Sequence, residues 1–492
     1  MMRNCGLGFG LMWLLAAESA LAAAAPPVAP PAFSAEQIAA AAALRDAALA
    51  GSAAYAIVAS LTTEVGPRLA GSAADARAVN WAEAKMRALG FDRVSLQPVS
   101  FPVWKRNAES AEVLSPAPQK LVIAALGWSS ATPKAGIRAE VQGFADFAAL
   151  KAADPAQVRG KIVYVSHHMQ ARRNGSDYGP SVALRVAGAE VAAQKGAVGL
   201  LIRSIGTDSH RLAHTGVGLS TTQIANDPAM QKRAIKLKDG SLIALTAVPA
   251  AALSNPDADQ LERLLQLAQP VRVKLTIDSA LGAEYTSYNV VGEVLGRELP
   301  DECVVIGGHL DSWDQGTGAI DDGAGVAITM AAAEIIAKAK QRPRRSIRVV
   351  AFANEEQGVF GGREYVRANA KVIHAGAAES DFGAARVYRF DYRVADRFFP
   401  AIQQIAGVLH VLDIEQGGND AGGGADVGGL GAVGTPIFEL QQDGSDYFNL
   451  HHTADDTLDK IDAKVLDQNV AAYVVLAYLA ADAEQRMTAP EQ

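Results

Sequence analysis

Residues 303–356 constrain the fold of this chain more than any other stretch. They begin with a wholly apolar run, residues 303–306, which is typical of a strand buried on both faces of a parallel sheet. An alanine-rich helix is predicted at about residues 325–340, and a second buried strand at residues 347–353. Strand, helix and strand in this order predict a βαβ unit, and open α/β sheets bind ligands beyond the carboxyl ends of their strands.

Acidic and histidine side chains stand where these predicted strands end. His309 and Asp311 follow the first strand, Asp321 precedes the helix, and Glu355 and Glu356 follow the second strand. Asp311 comes two residues after His309, so its carboxylate is expected to accept the second imidazole N–H and fix the tautomer of that ring. Adjacent side chains leave an extended backbone in opposite directions. One glutamate can therefore bind a metal while the other faces the water that attacks the substrate.

The whole chain is long enough for two domains, and it is acidic. It has 492 residues, of which 49% are hydrophobic, whereas single hydrophobic cores stop growing near roughly 250–300 residues. The net charge is −8 and no basic stripe is present. Nucleic acid and anionic membranes are therefore not expected as partners.

The first 22 residues predict a secretory signal peptide. Arg3 precedes an apolar segment, residues 7–17, and Ala20 and Ala22 supply small residues for cleavage. We expect cleavage after about Ala22 and a secreted or periplasmic protein; a lone membrane anchor is the alternative. No later stretch approaches about 18 uninterrupted apolar residues, so no stable membrane insertion is expected after cleavage. Only Cys303 would remain, so no internal disulfide is expected.

The middle of the chain predicts a smaller, β-rich domain inserted into a larger one. Residues 116–270 contain short β-like runs separated by turns, including residues 242–248. Strand patterns of the main sheet resume at residues 271–277 and 288–294. The prediction is a catalytic domain of residues 23–115 and 271–492, with an α/β fold built on a mixed, largely parallel sheet flanked by helices.

Three other features leave alternatives open. Arg68 and Ser72 belong to a turn followed by a helical pattern, so they fit turn and cap chemistry, against a substrate-facing role. His210 and His214, four residues apart in a loop-like stretch, indicate a metal site only weakly. The glycine-rich residues 417–434 fit either a flexible surface loop or a loop that approaches a ligand closely.

Five side chains are expected to converge at one edge of the predicted sheet. Each follows a strand-like run or lies in a loop near one: His309, Asp321, Glu356, Asp381 and His452. Two imidazoles and three carboxylates are ligands that zinc accepts, and a pair of metals needs one bridging carboxylate. An assortment of capping and surface acids is the alternative for each residue alone, and only the joint pattern favours a metal site.

The motifs around these residues resemble a known family in order and spacing. They are GHLDS at 308–312, GAIDD at 318–322, NEE at 354–356, ESD at 379–381 and HTADDT at 452–457. Together they are similar to the co-catalytic zinc aminopeptidase and carboxypeptidase family. The resemblance covers nearly the whole chain that follows the signal peptide, and it implies the zinc exopeptidase fold with an inserted protease-associated domain.

The resemblance also implies a role for each site residue. Asp321 would bridge two Zn²⁺ ions per chain. His309 and Asp381 would complete the site of one ion, and Glu356 and His452 that of the other. Glu355 would be the general base and acid.

The chain departs from the family pattern at one position. Many relatives have tyrosine immediately before the last ligand, where its hydroxyl stabilises the oxyanion, whereas this chain has His451. His451 is therefore either an oxyanion donor or a packing residue.

The expected function is a two-zinc exopeptidase that hydrolyses dipeptides or short peptides from a free end. A single-zinc acyl transferase or cyclase on the same fold is one alternative. A non-catalytic, receptor-like binding module is another, but the complete ligand set and Glu355 argue against it. The sequence leaves open which terminus is required and the oligomeric state, with a homodimer among the options.

Overall fold

The computed structural model describes residues 32–208, 210–219, 224, 228–232, 234–237, 240 and 242–491. The predicted signal peptide, residues 1–22, lies outside the described residues. So does most of the lead-in that follows it.

The strands account for most of the architecture around the site. They are β1 Arg93–Ser115, β2 Gln119–Leu121, β3 Ile123–Ala125, β4 Ile137–Phe144, β5 Ile162–Val165, β6 Gly199–Arg203, β7 Ile235–Lys236, β8 Leu242–Ile243, β9 Ala250–Leu253, β10 Arg272–Val294, β11 Leu299–His309, β12 Arg345–Phe352, β13 Ile373–Glu379, β14 Val387–Arg393, β15 Glu415–Gln416 and β16 Ile437–Gln442. Except for β7 and β8, which pair with each other, all these strands belong to one sheet.

The helices cover the sheet and connect its parallel strands. They are α1 Ala35–Ala50, α2 Ala54–Glu64, α3 Ala73–Ala88, α4 Phe147–Ala152, α5 Pro155–Val158, α6 Tyr178–Gln194, α7 Pro228–Gln231, α8 Asn255–Leu265, α9 Ala324–Ala337, α10 Phe360–Ala368, α11 Phe399–Leu409, α12 Gly428–Ala432, α13 Tyr447–Leu450 and α14 Ala463–Asp482. Short 3₁₀ turns lie at Asp396–Phe398, His410–Leu412 and Leu458–Lys460, and a π-helical turn at Ala319–Gly323 precedes α9.

The sheet is mixed and largely parallel through its central strands. Its order is β15-β14-β16-β13-β11-β12-β10-β4-β5-β6-β9-β3, and β1 pairs with both β10 and β2. β11 runs parallel to β12 on one side and to β13 on the other. The predicted fold class is confirmed.

The predicted βαβ unit is β11, α9 and β12. Alternate residues of β11 enter hydrophobic clusters on opposite faces of the sheet: Val304 and Ile306 pack with the helices α9 and α14, whereas Cys303 and Val305 pack with α10 and α12. Burial on both faces explains why the sequence of this strand shows no polar alternation. The buried Cys303 is a packing residue.

Two of the predicted strands are one. The runs at residues 271–277 and 288–294 are the two ends of β10, which pairs antiparallel with β1 along almost its entire length. The residues between them are mostly exposed, and the two that are buried are serines, Ser279 and Ser287, so the intervening sequence carries too little apolar signal to predict a strand. The antiparallel partner supplies the backbone hydrogen bonds that hold this long ribbon.

Residues 116–270 contribute the far end of the sheet and hold hydrophobic clusters of their own. β4, β5, β6 and β9 are parallel neighbours, and β4 joins them to β10. Residues Ala32–Gln492 form one compact unit. Of the predicted strand at 242–248, only Leu242–Ile243 is a strand.

Within the described part of the chain, no single helix has the length and apolar composition needed to cross a membrane. The bent pair Ala35–Ala50 and Ala54–Glu64 meets that test only when the two helices are taken together.

Candidate metal centre

The parallel pairing of the central strands brings the predicted site residues to one edge of the sheet. His309 is the last residue of β11 and pairs in register with Phe352, so Glu356 arrives four residues beyond the same edge. Asp381 follows β13 by two residues, and His452 follows the short helix α13. All five predicted ligand residues converge there.

Two groups of side chains share Asp321. In the first group, His309 Nε2 lies 3.0 Å from Asp321 Oδ1 and 3.4 Å from Asp381 Oδ1. In the second, His452 Nε2 lies 3.2 Å from Asp321 Oδ2 and 2.8 Å from Glu356 Oε2. Within each group, all the possible ligand atoms are within 4.8 Å of one another. The two oxygens of Asp321 therefore face two different triads.

The chemistry of this cluster fits divalent metal ions. Asp321 Oδ2 and Glu356 Oε1 are buried oxygens without a hydrogen-bond partner. Leaving a buried carboxylate oxygen unpartnered is costly unless a cation compensates it. Imidazole nitrogens and carboxylate oxygens at these separations form a ligand set that zinc accepts.

Burial and the neighbouring charges together determine the pKa values of these groups. Burial raises the pKa of Asp321, but the imidazoles of His451, His309 and His452 outweigh it and hold that pKa well below its ordinary value. For Glu355, burial raises the pKa first. The carboxylate of Asp381 raises it further against the opposing effect of His309, and the pKa ends well above its ordinary value. The centre thus concentrates buried negative charge that calls for cations.

His309 is oriented by a backbone carbonyl on one side of its ring and by carboxylates on the other. Its Nδ1 lies 3.0 Å from the carbonyl oxygen of Asp311, whereas the Asp311 carboxylate is 3.7 Å away. That carboxylate instead accepts the backbone N–H of Glu355 at 3.0 Å. The expectation that the Asp311 carboxylate accepts the imidazole N–H is wrong. The backbone carbonyl oxygen of Asp311 accepts it. The carboxylate positions Glu355 instead.

The loop that carries Asp321 is fixed by a residue to which the sequence assigned no role. The carboxylate of Asp456 accepts the backbone N–H groups of Ile320 and Asp321, at 2.6 and 3.2 Å. Asp456 belongs to the HTADDT motif, so the motif pointed to this position but not to its task. Its pKa is raised to about 7 because burial disfavours the charged form and Asp321 repels it.

Arg68 and Ser72 serve structure. The fully buried guanidinium of Arg68 donates hydrogen bonds to the carbonyl oxygens of Leu310, Thr317 and Gly318, at 2.5, 2.7 and 2.8 Å. The Ser72 side chain accepts from two backbone N–H groups at the start of α3. The structure therefore agrees with the first of the two alternatives for these residues, a role in the turn and the helix cap.

His214 lies against the centre, whereas His210, four residues before it, does not. His210 is exposed and pairs with Asp208, so the weak metal signal from two histidines four residues apart does not correspond to a site. His214 is fully buried, and its Nε2 lies 3.0 Å from Nδ1 of His451. His451 in turn places its Nε2 3.5 Å from Asp321 Oδ2. A single histidine in a loop carries no sequence signal for such a contact.

A cavity of about 170 Å³ opens beside Asp381. Three carboxylates line it, those of Glu379, Asp381 and Glu439, and no basic side chain among the described residues does so. Gly423 and Gly424 form part of its wall, so the glycine-rich segment 417–434 approaches the centre, as one of its two interpretations required.

Comparisons with known proteins agree with the family resemblance of the motifs. The model of peptidase family M28 matches residues 289–477. Carboxypeptidase Q from Bos taurus is 32% identical over 436 residues, which cover 88% of this chain and 86% of that protein. Carboxypeptidase Q from Homo sapiens is 31% identical over 435 residues, with the same coverage of 88% and 86%.

Solved structures share the fold. The crystal structure of a peptidase M28 precursor from Shewanella amazonensis SB2B has a TM-score of 0.85 and 46% sequence identity, and covers 93% of this chain and 99% of its own. A zinc aminopeptidase from Bacillus subtilis has a TM-score of 0.58 at 19% identity, with coverage of 88% and 98%. This second similarity concerns the fold alone.

Proposed function

This chain belongs to peptidase family M28, and from that premise we propose that it is a secreted two-zinc exopeptidase. It hydrolyses dipeptides or short peptides from a free terminus. One observation carries the proposal: two triads of buried metal-ligating side chains share the single carboxylate of Asp321. A centre for two ions needs such a shared carboxylate, whereas a one-ion centre does not.

The two triads divide the ligands between the ions. His309 and Asp381 would hold one zinc, Glu356 and His452 would hold the other, and Asp321 would be shared between the two ions. When bound, the ions supply Lewis acidity towards the scissile carbonyl and lower the pKa of the attacking water. The protein supplies the positions of its own side chains and the transfer of protons.

Glu355 is the residue that moves protons. Its neighbour Glu356 reaches His452, and its own backbone N–H is held by the Asp311 carboxylate. From this position Glu355 accepts a proton from the attacking water and delivers it to the leaving amine. Peptide hydrolysis needs both transfers, and one carboxylate can perform them in turn.

His451 is the oxyanion donor of the centre. It lies beside Asp321 in the place where relatives have a tyrosine hydroxyl, and its ring stacks on His452 with the centroids 3.6 Å apart. An imidazole N–H directed at the reacting carbonyl stabilises the negative charge that develops on its oxygen.

The cavity beside Asp381 favours a substrate with a free amino end. Besides the proposed ligand Asp381, its lining has the carboxyl groups of Glu379, whose pKa burial raises to about 8, and of Glu439. Among the described residues it has no basic side chain, so it offers hydrogen-bond acceptors to an ammonium group and no cation to a carboxylate. Residues 116–270, which we propose form a protease-associated-like domain, contribute Asn174 to this cavity and His214 to the contact with His451. Export rests on the predicted signal peptide, and the similar Shewanella protein is described as a precursor.

The test replaces the proposed base. Glu355→Gln keeps the size and polarity of the side chain but removes its capacity to accept a proton, so turnover should fall by at least about a thousandfold. Zinc content, measured by elemental analysis, should stay near two per chain. Glu64→Gln is the matched control because Glu64 is an exposed glutamate on α2. Retained turnover would remove Glu355 as the base.

A second assay separates the alternatives. Digestion of a peptide library, with substrates blocked at either end and products identified by mass spectrometry, shows which terminus is required. One zinc per chain and no peptide hydrolysis would favour the acyl transferase or cyclase. A protein that purifies without metal yet binds a partner would favour the receptor-like module.

A further inference from the structure

We propose that His214, contributed by the segment between β6 and β7, is a positioning residue that fixes the tautomer of His451 so that its Nε2–H points into the metal centre. The proposal rests on the proposed function, because His451 acts there as the oxyanion donor. It goes further by giving residues 116–270 a part in positioning a group of the metal centre. His214 belongs to no sequence motif, and its role is inferred from its distances to His451 and to the residues around it.

The contact between the two rings is short and rigidly held. His214 Nε2 lies 3.0 Å from His451 Nδ1, and the ring centroids are 5.0 Å apart. The backbone N–H of His214 donates to the Ser204 hydroxyl at 2.7 Å. Tyr178 presents its ring at a steep angle to both imidazoles, with interplanar angles of 70° and 84°. Neither imidazole is free to turn away.

The surrounding segment is anchored to the same part of the site. Thr215 donates its backbone N–H to the carbonyl oxygen of His452 at 3.0 Å. The side-chain oxygen of Asn449 accepts the N–H groups of Thr207 and Asp208, at 2.7 and 3.0 Å. These bonds span both ends of the loop that carries His214. The position of His214 is therefore tied to that of His451.

The shared hydrogen bond can be made in two ways. Either His214 Nε2–H donates to His451 Nδ1, or His451 Nδ1–H donates to His214 Nε2. At a separation of 3.0 Å the two facing nitrogens cannot both carry a proton, so one ring donates and the other accepts.

The far side of His451 selects the first arrangement. Its Nε2 faces Asp321 Oδ2 at 3.5 Å, the carboxylate oxygen that His452 Nε2 also approaches at 3.2 Å. A bare Nε2 would direct its lone pair at a carboxylate, whereas an Nε2–H directs a positive dipole at it. Since the proton belongs on Nε2, Nδ1 of His451 is an acceptor and His214 is the donor. A donor aimed into the centre is what an oxyanion requires.

The test compares two substitutions at His214. His214→Gln keeps an N–H close to the position of Nε2, whereas His214→Leu fills the space without a donor. For His214→Leu we expect kcat to fall about 10- to 100-fold, the range seen when an outer hydrogen-bond partner is removed. KM should change less than about threefold, and the zinc content should not change. His214→Gln should recover most of kcat. His210→Leu, on the exposed neighbouring histidine, is the control.

Nuclear magnetic resonance supplies a readout that does not depend on turnover. In the zinc-loaded protein labelled with ¹⁵N-histidine, the His451 signals, assigned with His451→Gln, should show a protonated Nε2 and an unprotonated Nδ1. The same pattern is expected in His214→Gln, and a mixture of tautomers in His214→Leu. If wild-type protein shows the tautomer but hydrolyses no peptide, the proposed function fails and the positioning contact stands.

Three outcomes would overturn the positioning role. A protonated Nδ1 on His451 in the wild type would reverse the assigned donor. Unchanged kcat in His214→Leu would show that the contact is not used. Equal losses in His214→Leu and His214→Gln, together with loss of zinc, would show that His214 only supports the fold of the site. If His214→Leu does not fold, the wild-type tautomer and His214→Gln still decide.

Discussion

Arg68 ties the metal centre to the first helical layer, and its replacement should destabilise the protein strongly. The side chain is fully buried and donates to three carbonyl oxygens of the loop between His309 and Asp321, those of Leu310, Thr317 and Gly318. Burial lowers the pKa of Arg68, although the carboxylates of Asp456 and others oppose that effect. Arg106 also reaches this loop, where it pairs with Asp314, but the three carbonyl oxygens receive their hydrogen bonds from the Arg68 guanidinium.

The magnitude follows from the hydrogen bonds that Arg68→Met would remove. A hydrogen bond to a charged group contributes about 1.5–3 kcal/mol, so three bonds give roughly 5–9 kcal/mol. Removing a buried cation also removes its desolvation penalty, which is several kcal/mol. The difference is a loss of about 3–5 kcal/mol. Unfolding entropy of about 2.1 cal/mol/K per residue gives a chain of this length on the order of 1 kcal/mol/K, so the melting midpoint should fall by about 3–5 °C.

Scanning calorimetry of the zinc-loaded protein measures this shift. Arg77→Met is the matched control: Arg77 is exposed, makes one long bond of 3.4 Å to the Val65 carbonyl, and should change the midpoint by less than about 1 °C. A midpoint for Arg68→Met within 1 °C of this control would refute the reasoning. Loss of turnover at an unchanged midpoint would instead revive the substrate-facing role for Arg68.

Three further predictions test other parts of the molecule. Burial raises the pKa of Asp75 to about 6 in the folded protein from its ordinary value of 3.8, so ionisation of this carboxyl group destabilises the fold as pH rises through that range. At about 1.36 kcal/mol per pKa unit, the free energy of unfolding of Asp75→Asn should exceed that of wild type by up to about 3 kcal/mol above pH 7 and equal it at pH 4. Asn449→Ala removes three hydrogen bonds to Thr207 and Asp208, and should speed amide hydrogen exchange in residues 205–217 while exchange in β11 stays unchanged. Chelation should lower the melting midpoint by about 3 °C for each site at which free zinc had exceeded the dissociation constant about a hundredfold. Adding zinc should restore the midpoint and adding magnesium should not. An unchanged midpoint would contradict metal binding.

The sequence predicted the centre of the molecule because its signals are local. An apolar run that ends in His309, and another that ends before Glu356, can be recognised from the residues alone. Parallel pairing in register then necessarily places those ends together, as β11 and β12 do. The helix between them follows from its alanine-rich, almost entirely buried sequence. For these three elements, the local sequence pattern is enough to predict which residues lie close together.

Elsewhere, the partner rather than the sequence of a segment decides its structure. The sequence analysis predicts no strand at β14, yet β14 pairs antiparallel with β16. The middle of β10 is half exposed and is a strand only because β1 lies beside it. Likewise, Asp456 and His214 act through contacts with residues more than a hundred positions away. None of these partners can be inferred from a window of local sequence.

The distribution of these contacts along the chain means that the centre is complete only when the whole sheet is in place. His309 and Glu356 belong to one βαβ unit, but Asp381 needs β13 in place and His452 needs the segment after β16. The loop that bears Asp321 is held from both ends of the chain, by Arg68 before the sheet and by an aspartate close to the final helix. Burying this many carboxylates is unfavourable until imidazoles and metal ions compensate them. Metal affinity should therefore track global folding: a variant that loosens either anchor should lose zinc and melting temperature together, even though neither anchor is a ligand.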